Sequence, residues 1–405
     1  MARRLPRPPA ITIGGLKAAD GAAWAGLIRR GFGLSDARIA HLRAGLGDGE
    51  IRIAHRGGAL AGTAALIPMA QYFGGRPVPA AGIAAVTVDQ AERGRGIAAA
   101  LLRALLLEAR ARGLAFALLY AATLPLYRRL GFARAGVSID YQLSVGRTLG
   151  PLADPARREP ARLIPVPDRD PAALAALRRR QGRGSNGLVE RPPLLWANLI
   201  SPADQDPPDL WLIGGDDGPE GYLMLQSPAG DRLRITDLCL LTGGAARQVL
   251  GLLAGYAGRA ETVLWPGGPD DPLIHLAPEV DVDIDDWDLW LGRVVDVPAA
   301  LAARGYPEGL AARLDLVVED TVIGANHGRW RLLVRDGLGT VEPAAAASPA
   351  VPVLHLAVGA LAPLLTGHLG APALGAMGLI EAEAAALALA ATLFGGGAPW
   401  LADRF

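Results

Sequence analysis

Apolar and polar residues alternate through the first third of the chain in a pattern that predicts a mixed α/β unit. Apolar residues fall on every second position where a strand is predicted, and on every third or fourth position where a helix is predicted. The predicted strands are 11–13, 50–55, 59–68 and 81–88, and the predicted helices are 18–30 and 97–112. The second helix ends at Gly113, a residue suited to the left-handed position that closes a helix.

Two further units follow a segment, 149–171, that is rich in Pro, Arg and Asp and indicates a domain entry. In the middle of the chain the pattern predicts strands at 210–213, 221–226, 232–241 and 262–265, and a helix at 245–257. From Trp287 onward it predicts a helix entered through Val297-Pro298, a hairpin over 314–323 and 328–335, a strand at 353–356 and two helices. We therefore expect an α+β (mixed α/β) protein of three units, 1–148, 149–288 and 289–405.

A basic, glycine-rich turn joins the predicted strand 81–88 to the predicted helix 97–112. Its sequence is Arg93-Gly94-Arg95-Gly96. The first N–H groups of a helix, together with the helix dipole, form an anion site, and glycines let the backbone approach phosphates closely. Arginines add charge-assisted hydrogen bonds. The turn therefore predicts a pyrophosphate site, although an ordinary strand-to-helix turn with solvated arginines is the alternative.

A second motif lies at 118–132, with the sequence LLYAATLPLYRRLGF. It predicts a strand, a short helix carrying Tyr127 and a stop at Gly131. In this order and spacing, the two motifs resemble the GNAT family of acetyl-CoA-dependent N-acetyltransferases, over roughly residues 10–146. The resemblance implies that two central parallel strands splay apart and that acetyl-CoA, the co-substrate, lies in the gap.

The resemblance also assigns the contacts of acetyl-CoA. It implies that the pantetheine arm bonds the backbone of Val86, Thr87 and Val88. The implied pyrophosphate cradle consists of Arg93, Gly94, Arg95, Gly96, Ile97, Ala98 and Ala99. Ala122 and Thr123 lie at a third family contact, where the family pattern has a Ser-Glu pair. Because this chain lacks that pair, we expect the third contact to involve the backbone alone.

Over nearly the whole chain, the three units together resemble the enhanced intracellular survival (Eis-like) family of bacterial acetyltransferases. In the second unit, Thr242-Gly-Gly244 replaces the arginine-rich turn, which predicts a degenerate GNAT copy that binds no cofactor. The third unit resembles the sterol carrier protein type 2 fold. The resemblance implies transfer of acetyl groups to primary amines, either of aminoglycosides or of lysine side chains. It also implies a homo-oligomer, commonly a hexamer.

Tyr127 and Phe405 are the candidate catalytic residues. A phenol, with an ordinary pKa of about 10, can protonate a departing thiolate whose thiol has a pKa of about 8.5. The alternative for Tyr127 is a core position against Leu130 and Phe132. The resemblance implies that the α-carboxylate of Phe405 enters the first unit as general base. A carboxylate with a pKa near 3.5 is a weak base, so direct action, a water relay and attraction of the ammonium group all remain open. A frayed chain end is the alternative for this segment.

No motif assigns the residues that contact the amine. Acidic and aromatic side chains in the first and third units are candidates for a cleft that attracts amines. These candidates are Asp20, Trp24, Phe32, Asp36 and Glu381.

Composition and charge narrow the possible partners. Lys plus Arg equals Asp plus Glu at 40 each, which gives no bias toward nucleic acid or an anionic membrane. Cys239 is the only cysteine, and the histidines show no metal-ligand spacing, so we expect no disulfide and no metal. The N-terminus lacks the apolar core of a signal peptide, and the apolar run 380–393 is too short to span a bilayer. We expect a cytoplasmic enzyme. The competing hypothesis is an acyl-CoA-sensing or lipid-carrying protein without turnover.

Overall fold

The computed structural model describes residues 10–166, 168–279, 281–345, 348 and 350–405. The first nine residues, where the sequence predicts no leader, lie outside these ranges. The strands are β1 (Ile11–Gly15), β2 (Ile51–Arg56), β3 (Ala59–Phe73), β4 (Arg76–Val88), β5 (Phe116–Leu119), β6 (Ala133–Ser144), β7 (Leu163–Pro165), β8 (Val189–Glu190), β9 (Asp209–Gly215), β10 (Gly218–Ala229), β11 (Arg232–Leu240), β12 (Thr262–Gly267), β13 (Val282–Val294), β14 (Ala311–Glu319), β15 (Gly328–Arg335), β16 (Leu338–Pro343), β17 (Val353–Ala357) and β18 (Ile380–Glu381).

The α-helices of the described residues pack against these strands. They are α1 (Gly21–Phe32), α2 (Asp36–Leu46), α3 (Ile97–Ala111), α4 (Leu124–Arg129), α5 (Val145–Thr148), α6 (Pro171–Arg183), α7 (Pro193–Ile200), α8 (Gly243–Ala254), α9 (Pro272–Leu276), α10 (Val297–Ala303), α11 (Val358–Thr366), α12 (Ala371–Ala376) and α13 (Ala384–Phe394). In the described part of the chain, none of these helices is both long enough and apolar enough to span a membrane.

One large sheet extends through the first two units. Its strand order is β1-β2-β3-β4-β5-β13-β6-β12-β11-β10-β9-β7, with β8 paired to β3. Strand β13 lies between β5 and β6 and pairs antiparallel with both, and β6 in turn pairs with β12. A strand late in the sequence therefore completes the first half of the sheet, while β6 joins the second half. The predicted boundary after Asp288 falls inside β13, which continues to Val294.

The hairpin of β3 and β4 is longer than the sequence pattern predicts. The pattern indicates strands at 59–68 and 81–88, whereas the two strands extend to Phe73 and back from Arg76. The prediction stopped short because Pro68, Pro77 and Pro79 interrupt the pattern, and proline removes a backbone donor. Two glycines at the tip, with φ of 58° and 78°, form the tight turn that closes this hairpin.

Two helical segments also differ from the prediction. Helix α2 is absent from the prediction because only Ile39 and Leu46 are buried on it, which leaves little helical periodicity to detect. The apolar run 380–393 does not form one continuous helix. Its first two residues instead form β18, which pairs with β17, and the helix begins at Ala384.

The third unit forms a separate sheet with the order β16-β15-β14-β17-β18. The predicted hairpin corresponds to β14 and β15, which pair antiparallel, and β17 joins β14 in parallel. Helices α11 and α13 cover this sheet, with Leu361 and Leu393 fully buried. Helix α11 also packs on β6 and β13, so the third unit is joined to the large sheet.

Candidate active site

The central parallel strands β4 and β5 separate part of the way along their length. Their pairing begins at Ala80 with Phe116 and ends at Gly82 with Leu118. Beyond this point β4 continues to Val88, and Ala85 has a left-handed φ of 54° where the register with β3 shifts. From 83 to 88, the edge of β4 that faces β5 therefore has no partner among the described strands, while its other edge stays paired with β3. Backbone N–H and C=O groups at such an edge remain able to bond an extended ligand.

The glycine-rich turn opens directly onto the start of α3. Gly94 and Gly96 have φ of 76° and 82°, and Gly96 is the residue that precedes the helix. A Cβ at either position would meet open space, so glycine is required here by the backbone conformation and leaves room for a ligand. The turn is exposed, and Arg95 lies 3.5 Å from Glu92. Ile97 is buried, whereas Ala98 and Ala99 are half-buried. The geometry fits an anionic group at the N-terminus of α3.

Tyr127 lies on α4, in the buried cluster that also contains Ile83 and Leu119 beside the split. Its ring meets that of Phe132 edge-on, with centroids 5.9 Å apart. Burial raises the pKa of Tyr127, which keeps its hydroxyl protonated. Tyr127 therefore packs as a core residue would, and its role as general acid stays a prediction. Ala122 and Thr123 are exposed in the loop that precedes α4.

The last residues of the chain form backbone hydrogen bonds on two sides. Val137 of β6 donates its N–H to the carbonyl of Pro399 (3.0 Å), and its own carbonyl accepts from Leu401 (2.9 Å). On the other side, Trp400 donates its N–H to the carbonyl of Asn186 (3.0 Å). The segment 399–401 therefore lies between β6 and the second unit, with an isolated parallel β-bridge between Val137 and Trp400.

Phe405 reaches the point where β4 and β5 separate. A Cβ built on Gly82 would lie 2.8 Å from Cε2 of the Phe405 ring, so the ring rests directly on the glycine. The Phe405 and Tyr120 rings meet edge-on, with centroids 6.2 Å apart. Tyr120 also donates its hydroxyl proton to the carbonyl of Asp403 (3.1 Å). Sequence reasoning missed the contacts of both residues: Tyr120 lies within the second motif without being singled out by it, and no motif marks Asp403 in the tail.

A cleft of ≈ 510 Å³ opens beside the β4 bulge and the end of the tail. Its walls come from α1, α2, the bulge, the end of α7 with the loop after it, and the tail. They consist of Phe32, Leu34, Arg38, His41, Leu42, Ala84, Ala85, Asn198, Pro202, Ala203, Asp204, Gln205, Arg404 and Phe405. The cleft therefore places the predicted catalytic Phe405 next to the strand edge that would hold acetyl-CoA.

Only Phe32 among the five candidate substrate residues lines this cleft. Trp24 is fully buried and donates its indole N–H to Thr63 (3.1 Å), so it is a core residue. Asp20 lies 3.0 Å from His55, and Asp36 forms an ion pair with Arg29. Glu381 lies on β18 of the third sheet.

The ionisable side chains of the cleft carry more positive than negative charge. Arg38 and Arg404 face a single acidic side chain, Asp204, which lies 3.9 Å from Arg38. Arg404 also pairs with Asp286 (2.6 Å), a member of the acidic segment 281–288. The tail therefore places a positive charge against this acidic segment. The rest of the wall is largely apolar.

The second unit has a helix start of different chemistry. Thr242 caps α8 by accepting from Ala245 (3.1 Å), and its hydroxyl donates to Glu220 (2.5 Å). A Cβ at Gly244 would lie 3.6 Å from Glu159 and 3.7 Å from Glu220. Two carboxylates at a helix N-terminus occupy the place of an anion and would repel a phosphate. Cys239 is buried in β11, as predicted, and burial raises the pKa of its thiol to about 12.

Comparison with known proteins agrees with this architecture. Residues 12–135 and 187–294 each match the family model described as acetyltransferase (GNAT) domain, and residues 297–402 match the sterol carrier protein domain. An uncharacterized N-acetyltransferase of Streptomyces coelicolor is 30% identical over 362 residues, covering 82% of each chain. The N-acetyltransferase Eis of Mycobacterium tuberculosis is 28% identical over 291 residues, covering 67% of each chain.

Two solved structures share the fold over almost the whole chain. A GCN5-related N-acetyltransferase from Anabaena variabilis has a TM-score of 0.90 at 30% identity, covering 98% of this chain and 100% of that one. Eis1 from Mycobacterium abscessus has a TM-score of 0.77 at 26% identity, with 98% and 100% covered. The fold and the sequence matches define an acyltransferase with two GNAT domains. The chain belongs to the Eis-like N-acetyltransferases, which carry a C-terminal sterol carrier protein domain.

Proposed function

We propose that this N-acetyltransferase uses acetyl-CoA and transfers its acetyl group to a primary amine bound in the cleft beside Phe405. The observation that carries the proposal is the free edge of β4 from 83 to 88. It lies between a glycine turn suited to phosphates and a cleft of substrate size. An extended acyl-CoA along this edge would bond the backbone of Val86 to Val88, and its pyrophosphate would meet 93–99. Ala122 and Thr123 would border it from the loop before α4.

Tyr127 and Phe405 are proposed to divide the proton transfers. Tyr127 would donate its proton to the sulfur of the departing CoA. Its hydroxyl is protonated at neutral pH, and burial, which raises its pKa, makes it a weaker acid than a solvated phenol. The α-carboxylate of Phe405, the last residue of this sequence, would accept the proton of the attacking amine. The ring of Phe405 on Gly82 and the hydrogen bond from Tyr120 to Asp403 support a fixed position for that carboxylate. Direct acceptance and relay through water are both compatible with this position.

Of the two amine classes, we infer that a lysine-type monoamine fits the cleft better than a polycationic aminoglycoside. Arg38 and Arg404 would repel each additional ammonium group. Asp204 is the only acidic side chain among the residues that line the cleft, and the α-carboxylate of Phe405 is proposed to be engaged by the reacting amine. The apolar residues Phe32, Leu42 and Phe405 suit the methylene chain of a lysine. A substrate with one amine places its only positive charge at the reacting end of the cleft, so it has no further ammonium group for the arginines to repel.

A thiol-release screen tests the proposed function. The purified chain is incubated with acetyl-CoA and with lysine peptides, polyamines or aminoglycosides, and free thiol is measured while mass spectrometry counts the acetyl groups added. We expect thiol release with single acetylation of lysine peptides and a lower kcat/KM for aminoglycosides. Binding of acetyl-CoA without thiol release for any amine would favour the sensing or carrier hypothesis.

Reversing one charge in the cleft tests this substrate preference. Arg38→Glu should raise kcat/KM for an aminoglycoside with four amines. For a peptide whose only charged group is one lysine, kcat/KM should fall or stay unchanged. Arg147→Glu makes the same charge change at an exposed site outside the cleft and serves as the control. If both variants shift the two substrates equally, the preference is not set by the charge of the cleft.

We also propose that the chain assembles as a homo-oligomer. The family resemblance implies that this oligomer is commonly a hexamer. Large apolar side chains that are half exposed or more, among them Trp287 and Met377, support a covered surface in the assembly. Light scattering that finds only a monomer would contradict this.

A further inference from the structure

A buried ion-pair network connects the tail to the second unit. Arg191, which immediately follows β8, donates its Nε–H to Asp403 (2.6 Å) and its terminal nitrogens to Asp237 of β11 (2.5 and 2.8 Å). The side chains of all three residues are at most 3% exposed. Arg178 of α6 lies 3.7 Å from the second oxygen of Asp403. The carboxylate of Asp403 is thus enclosed by two arginines of the second unit.

The rest of the network holds Arg191 in one orientation. Tyr222 of β10 donates its hydroxyl proton to Asp237 (2.6 Å). The guanidinium of Arg191 stacks over the ring of Trp196, 4.9 Å from its centroid. Burial alone would raise the pKa of Asp237, but the charge of Arg191 outweighs this and holds that pKa below its ordinary value. The network is therefore charged at neutral pH, and Arg191 has Asp237 as a permanent second partner.

Asp403 stands two residues before Phe405, so its position restricts where Phe405 can lie. The backbone of the tail is bonded as far as Leu401, and Tyr120 bonds the carbonyl of Asp403 from the first unit. Phe405 follows Asp403 by only two residues, too short a segment for Phe405 to move far from the split of β4 and β5.

We propose that Arg191 and Asp403 are positioning residues of the acetyltransferase. In this proposal the second unit, which presents carboxylates where a phosphate would bind, serves catalysis by holding the tail of the third unit in the active site of the first. The proposal rests on the proposed function of Phe405. By holding the tail, the degenerate second domain would increase the reaction rate without binding a cofactor itself.

The test compares Asp403→Asn with Asp315→Asn. The first keeps the shape of the side chain and leaves Arg191 paired with Asp237. The second removes the charge of another fully buried aspartate of the third unit, which bonds Arg331 (2.8 Å) on β15, away from the tail. Both variants should lose some thermal stability. Only the tail variant should lower kcat, by about tenfold or more, with KM for acetyl-CoA unchanged, because small displacements of a reacting group are costly.

A second measurement does not depend on turnover. A carboxypeptidase selective for terminal aromatic residues is added below the unfolding temperature, and mass spectrometry follows the loss of Phe405. We expect this loss to be about tenfold faster in Asp403→Asn than in the unmodified chain or in Asp315→Asn, because a released tail is cleaved more readily.

The two measurements separate the possible failures. Equal rates of Phe405 loss in the three proteins would overturn the anchor. Faster loss with an unchanged kcat would overturn the positioning role, because the tail would then be released without consequence for the reaction. If the unmodified chain releases no thiol with any amine, the proposed function fails, while the digestion still decides whether Arg191 and Asp403 hold the tail.

Discussion

The ring of Phe405 rests on Gly82, the last residue at which β4 still pairs with β5. Only a residue without a side chain leaves room for an aromatic ring at this depth, since a Cβ on Gly82 would also lie 2.6 Å from the methyl group of Met69. A residue at the end of the sequence and a residue in the middle of the first sheet therefore share one contact. Through this contact the tail reaches the place where acetyl-CoA is proposed to react.

Gly82→Ala should displace the Phe405 ring without straining the backbone, because Gly82 is not among the residues with positive φ. We expect kcat to fall about tenfold to a hundredfold, since a misplaced reacting group loses much of its effect. Gly15→Ala on β1 is the control, because its new methyl group would meet open space. Steady-state kinetics on both variants decide the matter, and equal kcat values would show that the ring position does not affect the reaction.

Extending the chain beyond Phe405 should impair catalysis and leave binding of acetyl-CoA intact. An added tag replaces the α-carboxylate with a neutral peptide group and moves the negative charge to a flexible end. Loss of a positioned general base costs about a hundred- to ten-thousandfold in rate. Isothermal titration and thiol release on tagged and untagged chains measure the two effects separately. A tagged chain with full activity would remove Phe405 from the mechanism.

Tyr127→Phe should lower kcat through slower departure of the thiolate. The penalty should be within the range of about a hundred- to ten-thousandfold typical of a general acid. It should shrink with a CoA analogue whose thiol is more acidic, since such a leaving group needs less protonation. Tyr141→Phe, which removes another buried hydroxyl, one bonded to the carbonyl of Gly268, is the control for general destabilisation. A Tyr127 penalty that does not change with the leaving group would favour the core role.

The sequence predicted the features of the site that depend on local chemistry. Gly94, Gly96 and the strand and helix around them lie where the motif placed them, because a glycine with positive φ and an apolar helix face are local signals. The insertion of β13 between β5 and β6 has no such signal, since it depends on pairing between residues far apart in the sequence.

The buried ion pairs were also beyond sequence reasoning. Arg191 and Asp403 are separated by 212 positions, and each resembles an ordinary surface residue when only its neighbours in the sequence are considered. Their burial follows from the position of the tail between β6 and the second unit. Prediction from local patterns is therefore least informative where three units meet, which is also where the tail is held.

Gly96→Asp should weaken binding of acetyl-CoA, because a carboxylate would stand at the N-terminus of α3 where a phosphate is expected. We expect affinity to fall at least about tenfold, a loss near 1.4 kcal/mol. Gly113→Asp is a matched control: it also has a positive φ, of 75°, faces open space and follows the other end of the same helix. Unchanged affinity by isothermal titration in the first variant would place the pyrophosphate elsewhere.

Asp271→Asn should stabilise the fold in a pH-dependent way. Burial raises the pKa of Asp271 to about 6, from an ordinary value of 3.8. The folded state then binds more protons than the unfolded state between these values, so the charged side chain lowers stability as pH rises from 4 to 6, with no further loss above. The shift corresponds to at most about 3 kcal/mol at pH 8. Asparagine avoids this cost and can still accept from the N–H of Leu273, as Asp271 does at 2.8 Å.

We expect the unfolding free energies of variant and parent to agree near pH 4 and to diverge in favour of the variant by pH 7. Asp170→Asn is the control, because Asp170 also precedes a proline and caps a helix, at Ala172, but is exposed. Denaturant titrations at pH 4, 6 and 8 that gave both variants the same pH dependence would contradict the assignment of the effect to burial.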